Sequence, residues 1–242
     1  MKKLLCGVLL LVTGASLQAA PQINVGNLYD YLESERSTML KRIRNSGDTT
    51  AFVKVSVFEL VYDAQGKITE VPQDDLPLEQ RPLIASPARL IVPASGMQTM
   101  RVLYRGERDK ERYFRLRFIP VVPARGDGFA ISEEDAEKYD ALKAKVEILT
   151  GFGSLLFVHP NGVQYQTDVS QQSQRFTVHN RGSSTVVLDH FNDCDASGKQ
   201  CSVATKHHIR PGSDRDFSRD PGRVYRFELI EGQERRRVEI KG

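Results

Sequence analysis

The chain has 242 residues, enough for one large domain or two small ones with a sizeable core. Its 40% hydrophobic and 27% charged residues rule out wholesale disorder. Thirty-four Lys and Arg against 31 Asp and Glu leave a net charge of +3, too even for a general polyanion binder, so no nucleic-acid partner is expected.

At the N-terminus, Lys2 and Lys3 precede an apolar run from Leu4 to Val12, then Thr13, Gly14, Ala15, Ser16 and the small pair Ala19-Ala20. A positive start, a short apolar stretch and a small-residue end predict a secretory signal peptide over residues 1–19, cut after Ala19. Without Lys2 and Lys3 the net charge falls to about +1. No later stretch reaches the 18 or so apolar residues that span a bilayer, so the expected mature protein is exported and has no stable membrane insertion.

Alternating apolar and polar segments separated by turn residues fill most of the remaining chain. Ala51 to Val61, Leu83 to Ala85, Arg89 to Val92, Gln98 to Tyr104 and Arg112 to Pro120 read as short strands, punctuated by Asp63-Ala64-Gln65-Gly66, Pro87 and Pro93-Ala94-Ser95-Gly96. Few windows before residue 130 carry a helical period, which argues against alternating strand and helix. Ser132 to Lys145 is charged and reads equally as one or two turns of helix, begun by a Ser132/Asp135 capping box, or as a long solvated loop. Val146 to Val158 is mostly apolar and is the longest candidate strand. His159-Pro160-Asn161-Gly162 reads as an interdomain turn. A second strand set comes after it: Arg175 to His179, Thr185 to Phe191, Val203 to Ile209, Arg223 to Ile230 and Arg235 to Ile240. Two β-domains are expected, 20–159 and 160–242, with no internal repeat beyond their shared β character.

Of three cysteines, Cys6 lies in the signal segment, leaving Cys194 and Cys201 around a turn containing Ser197 and Gly198. In an oxidising compartment the pair points to a local disulfide. The rival is a metal site with His190, His207 and His208, but the spacing matches zinc poorly, and neighbouring His207 and His208 on a strand face opposite ways. The chain lacks a Gly-x-Ser-x-Gly elbow, a phosphate-cradling glycine loop and a His-Glu-x-x-His pair. No catalytic residues, metal or cofactor are expected; a binding or assembly protein remains.

Several segments in order resemble one family: Ser34-Glu35-Arg36-Ser37 leading into Leu40 to Asn45, Leu83 to Pro93, Met100-Arg101-Val102, Glu111 to Phe118, Phe176 to Gly182, the two cysteines, and Ile209-Arg210-Pro211-Gly212-Ser213. Together they resemble the periplasmic chaperones of chaperone–usher pili, in the alternate branch of common-pilus and class 5 fimbrial chaperones. The resemblance implies an all-β fold of two immunoglobulin-like β-sandwich domains in an L-shaped arrangement with a cleft between. It also implies a periplasmic location, and as partners pilus subunits, pilin and tip adhesin alike, which are held by a donated strand and delivered to an outer-membrane usher.

By that resemblance the subunit-binding donor positions are Val146, Ile148, Thr150 and Phe152, which share one strand parity. The alternative is that they are core residues of the first domain. The better-known members fix the subunit's terminal carboxylate with an Arg and a Lys; aligned, those positions hold Leu28 and Leu155. A bound carboxylate then needs another cation, and Arg101, Arg115 and Arg117 are the candidate anchors, against a structural or solvent-facing role. A secreted two-sandwich pilus subunit or adhesin is the alternative function, but Pro21 to Tyr31 is too short for a subunit's own donor extension. An enzyme or sugar-binding module on the same scaffold is the remaining rival.

Overall fold

The structure, a computed structural model, describes residues 21–63, 65–123, 126, 128–129, 131 and 149–242. The expected signal segment, the stretch from Ser132 to Lys145, and the donor positions Val146 and Ile148 lie outside the described residues.

The first half of the chain forms two facing sheets. One runs in the order β1-β3-β8-β6, made of β1 (Ile23–Asn24), β3 (Thr38–Asn45), β8 (Met97–Tyr104) and β6 (Leu83–Ser86). The other runs β2-β10-β9-β4-β5, made of β2 (Tyr29–Leu32), β10 (Phe152–Val158), β9 (Arg112–Val121), β4 (Ala51–Tyr62) and β5 (Ile68–Pro72). Strand β7 (Arg89–Val92) also pairs with β4. Two-residue alternation makes the core: in β9, Phe114, Leu116 and Phe118 point inward and are buried, while Arg115 and Arg117 are not. They meet Ile43 of β3 and Met100 and Val102 of β8 from the facing sheet.

The second half repeats the plan with a smaller core. Strands β11 (Thr167–Gln171), β12 (Arg175–Asn180) and β15 (Asp214–Ser218) form one sheet; β14 (Thr205–Ile209), β13 (Val186–Asp195), β16 (Arg223–Glu231) and β17 (Glu234–Lys241) form the other, in those spatial orders. Between them lie Phe176, Val178, Leu188, Phe227 and Leu229. Cys194 and Cys201 are disulfide-bonded and tie the end of β13 to the loop after it.

Each domain also carries a buried asparagine at the end of a strand. Asn45 accepts hydrogen bonds from the amides of Gln22 and Gly47 and donates to carbonyls including Thr49 O. Asn180 accepts from the Gly182 amide and donates to Ser184 O and Ile209 O. Each side chain satisfies loop groups that burial would otherwise strand.

Two expectations need correction. Among the described residues the longest strand is β4, at 12 residues, and the apolar run ending at Val158 is in strand from Phe152 on. Among the described residues before that point, Leu149, Thr150 and Gly151 form no strand, and the glycine at 151 weakens the propensity that the apolar content suggested. Strands β3, β5, β11 and β15 lie where no strand was expected.

Candidate functional site

The two ends of β10 have different neighbours. Along its whole length it pairs antiparallel with β9, from Phe152 opposite Phe118 to Val158 opposite Arg112. On its other side β2 runs parallel to it, but only from Leu155 opposite Tyr29 to Val158 opposite Leu32. The Leu155 amide donates to Leu28 O at 2.8 Å and the His159 amide to Leu32 O at 3.0 Å. Among the described residues, Phe152, Gly153 and Ser154 therefore have no strand on that side; the edge is open at Phe152 and Gly153, and Ser154 is buried.

The path of the chain before β2 makes this gap. It leaves the opposite sheet after β1, turns at Gly26 with φ +71°, a backbone that suits glycine, and reaches the β10 edge only at Tyr29. Lys41 of β3 fixes the crossing: its buried ammonium donates to Asn27 O and to Asp30 Oδ2, the latter at 2.5 Å. Burial holds the Asp30 carboxyl above its ordinary range, and Lys41 works against that rise.

Of the expected donor residues, Thr150 is exposed and Phe152 is the half-buried first residue of β10, packed against the core's edge. The same parity continues through Ser154, Leu156 and Val158, all 1% exposed or less. The row is thus sealed at one end and loosens toward Phe152.

The candidate anchors divide. Arg115 lies beside Leu155 and Arg117 beside Gly153 on the neighbouring strand. Both reach Glu70 of β5, each on its own carboxylate oxygen, and the Arg117 guanidinium also sits 4.3 Å from the centre of the Phe58 ring. Arg101 stands exposed on β8, in the facing sheet, and is not brought together with them.

The cleft between the domains holds residues that the sequence did not single out. Glu111, 7% exposed, reaches into the second domain. There it accepts from the Thr185 amide at 2.9 Å, from Thr185 Oγ1 at 2.5 Å and from Ser184 Oγ at 2.7 Å, while Tyr113 donates to it from its own side at 2.7 Å. The His159 ring stands between Glu33, at 3.3 Å, and Glu111, at 3.9 Å. Beside it opens a cavity of about 250 Å3 lined by both domains, including Tyr31, His159, Thr185 and Lys206.

An aromatic wall continues from there. Phe157 stacks on Tyr31 and on His208, with centroids 5.2 and 4.8 Å apart, and meets the Tyr113 ring edge-on; Tyr113 in turn meets Tyr62. Tyr31 Oη and His208 Nε2 share a 2.7 Å hydrogen bond across the junction. Burial pushes the His208 imidazole down to about 4, so it sits there uncharged. Arg210, in the turn after β14, lays its guanidinium 3.6 Å from the centre of the Tyr62 ring. His207-His208 stood out in the sequence only as a poor metal pair, and Arg210 only inside the motif ending in Pro211-Gly212-Ser213.

No protein-family model matches the chain. It is 27% identical over 224 residues, 90% of both chains, to the probable fimbrial chaperone EcpB of Escherichia coli strain SMS-3-5, and 28% identical over the same span to that of Escherichia coli O157:H7. Among solved structures it resembles the class 5 fimbriae chaperone CfaA, at 17% identity and a TM-score of 0.57 over 91% of this chain and 99% of that one. It also resembles a chain from the complex of Salmonella enterica SafA pilin with the SafB chaperone, at 12% identity and a TM-score of 0.57 over 91% and 96%. At such identities the structural likeness speaks for the fold: two immunoglobulin-like sandwiches. Over nine-tenths of its length, then, the chain is similar to probable fimbrial chaperones, and it shares the two-sandwich fold of solved fimbrial chaperones.

Proposed function

We propose that this chain is a chaperone of the chaperone–usher type that holds pilus subunits, pilin and tip adhesin, by lending them the first part of β10 and the residues before it. It acts in the periplasm after export through a cleaved signal over 1–19, passes the subunit to an outer-membrane usher, and makes or breaks no covalent bond. One observation carries this: an apolar strand whose Phe152 to Ser154 stretch has, among the described residues, a neighbouring strand on one side only. Such an edge is a template for another chain's backbone, and the relatives are fimbrial chaperones. Among the described residues no helix is long and apolar enough to cross a membrane.

In this reading Val146, Ile148, Thr150 and Phe152 enter the guest's groove. Fully covered, Val146, Ile148 and Phe152 each contribute about 1.5–3 kcal/mol, enough to hold a subunit and still exchange it. Arg115 and Arg117 stand beside the strand as receivers of a guest carboxylate, Arg115 next to Leu155, where the better-known members of the family it resembles carry a Lys. Placement in the facing sheet makes Arg101 the weakest of the three.

The test is co-expression in the periplasm with candidate pilins. The wild type should co-purify one to one with a pilin. The Val146→Ser, Ile148→Ser, Phe152→Ser triple variant should stay folded yet lose most of that recovery. Unchanged recovery with the folded triple variant would sink the strand-donation reading.

A further inference from the structure

The guanidiniums around the cleft are nearly all committed. Arg112 is bound in a fork by both oxygens of Glu59, at 2.7 Å each. Arg115 and Arg117 share Glu70. Arg108 donates to the carbonyls of His159 and Arg36. Arg210 differs: it is half-buried, rests on the Tyr62 ring, and among the described residues has no carboxylate within ion-pair distance. A ring face holds a cation in place but takes none of its N–H donors, so the fork stays free for a planar anion.

Its surroundings favour an anion too. Burial raises the Tyr62 hydroxyl above its ordinary range; the positive charges of Arg210 and Arg115 pull it back, and the negative charge of Glu111, already held by Thr185 and Ser184, adds to the rise as the smallest of these influences. Arg115 is half spent, since it divides one carboxylate with Arg117, whereas Arg210 is not spent at all. Arg115 comes from the strand beside β10 and Arg210 from the second domain.

We propose that Arg210 receives a guest carboxylate in the cleft, opposite Arg115, so that one bound anion is gripped by both domains. This rests on the strand-donation reading and adds to it a residue from the second domain. The carboxylate comes from a guest chain end or from an acidic guest side chain, and the experiment separates the two.

The probe is a fluorescein-labelled ten-residue peptide of alternating Val and Thr, made as the free acid, as the C-terminal amide, and as the amide with one Glu replacing Thr. Binding is measured by anisotropy to the wild-type chain and to Arg210→Gln and Arg210→Lys, with near-ultraviolet circular dichroism to verify folding. The wild type should bind at least one carboxylate-bearing peptide about tenfold more tightly than the plain amide, as suits a charge-assisted fork. Arg210→Gln should bind every peptide as the wild type binds the plain amide, and Arg210→Lys should keep part of the preference. Preference for the free acid assigns the anion to a chain end, and preference for the Glu peptide assigns it to a side chain; either supports the proposal. A preference that survives Arg210→Gln overturns it, as does the absence of any preference while all three peptides bind; both leave strand donation standing. Failure of the wild type to bind any peptide overturns strand donation and this inference with it.

Discussion

The two halves of β10 share one partner, β9, and one alternation, yet they differ in what lies on their other side. From Leu155 to Val158 the strand is roofed by β2 and carries Leu156 and Val158 at 1% exposure; from Phe152 to Ser154 it has, among the described residues, no strand on that side, with Ser154 buried, Gly153 exposed and Phe152 half-buried. The sealed half cannot be lent without dismantling the first domain. The open half can be lent because the domain needs it less. A single strand thus has an anchored end and a donating end, and the boundary between them is where the chain from β1 to β2 arrives.

The largest way to break this contrast is to release β2. Lys41 and Asp30 have side chains 4% and 11% exposed, and Asp30 sits opposite Leu156 in the ladder. Lys41→Met leaves a buried carboxylate alone, which costs about 3–5 kcal/mol. The expected outcome in urea unfolding is a midpoint lowered accordingly, with faster amide exchange from Leu155 to Val158. A loss below about 1 kcal/mol would show that something else holds β2 in place.

Next come matched truncations along the one inward row. Leu156→Ala empties a fully packed site and should cost about 2–5 kcal/mol. Phe152→Ala removes a larger side chain from a half-open site and should cost less, on the order of 1 kcal/mol, while doing more harm to subunit recovery. If Phe152→Ala proves the more destabilising of the two, Phe152 belongs to the resident core and is not free to be lent.

How much of this could be read from the sequence depends on what each residue does locally. The strands β4, β8, β9 and β16 were legible because each has one face on a core and so alternates. Strand β11, Thr-Asp-Val-Ser-Gln, and strand β15, Asp-Arg-Asp-Phe-Ser, lie at the two margins of a three-stranded sheet and are mostly exposed; only pairing with β12 makes them strands. Asn45-Ser46-Gly47 and Asn180-Arg181-Gly182 do one job in the two domains, an echo too short to register as a repeat. At the site, the donor positions came from the resemblance, since the segment is apolar on both faces, and the open edge could not be read at all, since that depends on where β2, far earlier in the chain, joins the sheet. Likewise Glu111 and Arg210 are ordinary charges until the second domain brings Thr185 to one and Tyr62 meets the other.

The smallest expected effect concerns the cleft side of the sealed half, where Phe157 stacks on an uncharged His208. The folded state holds this imidazole at about 4, below the 6.5 it has when free, chiefly through burial, with Lys206 and His207 adding repulsion. The unfolded chain therefore takes up the proton more readily. The stability contributed by neutral His208 is complete above pH 6.5 and is lost as the pH falls from there toward 4. Acidification from about pH 7 to about pH 5 should lower the wild-type Tm by roughly 2–4 °C more than it lowers that of His208→Phe, equivalent to about 1 kcal/mol for a chain of this size. Amide exchange should quicken from Leu155 to Val158 and stay unchanged from Phe152 to Ser154, because only the sealed half leans on the second domain. Equal acid sensitivity in the two proteins would mean that the Tyr31–His208–Phe157 stack bears no weight, and would leave β2 alone responsible for closing that end of the strand.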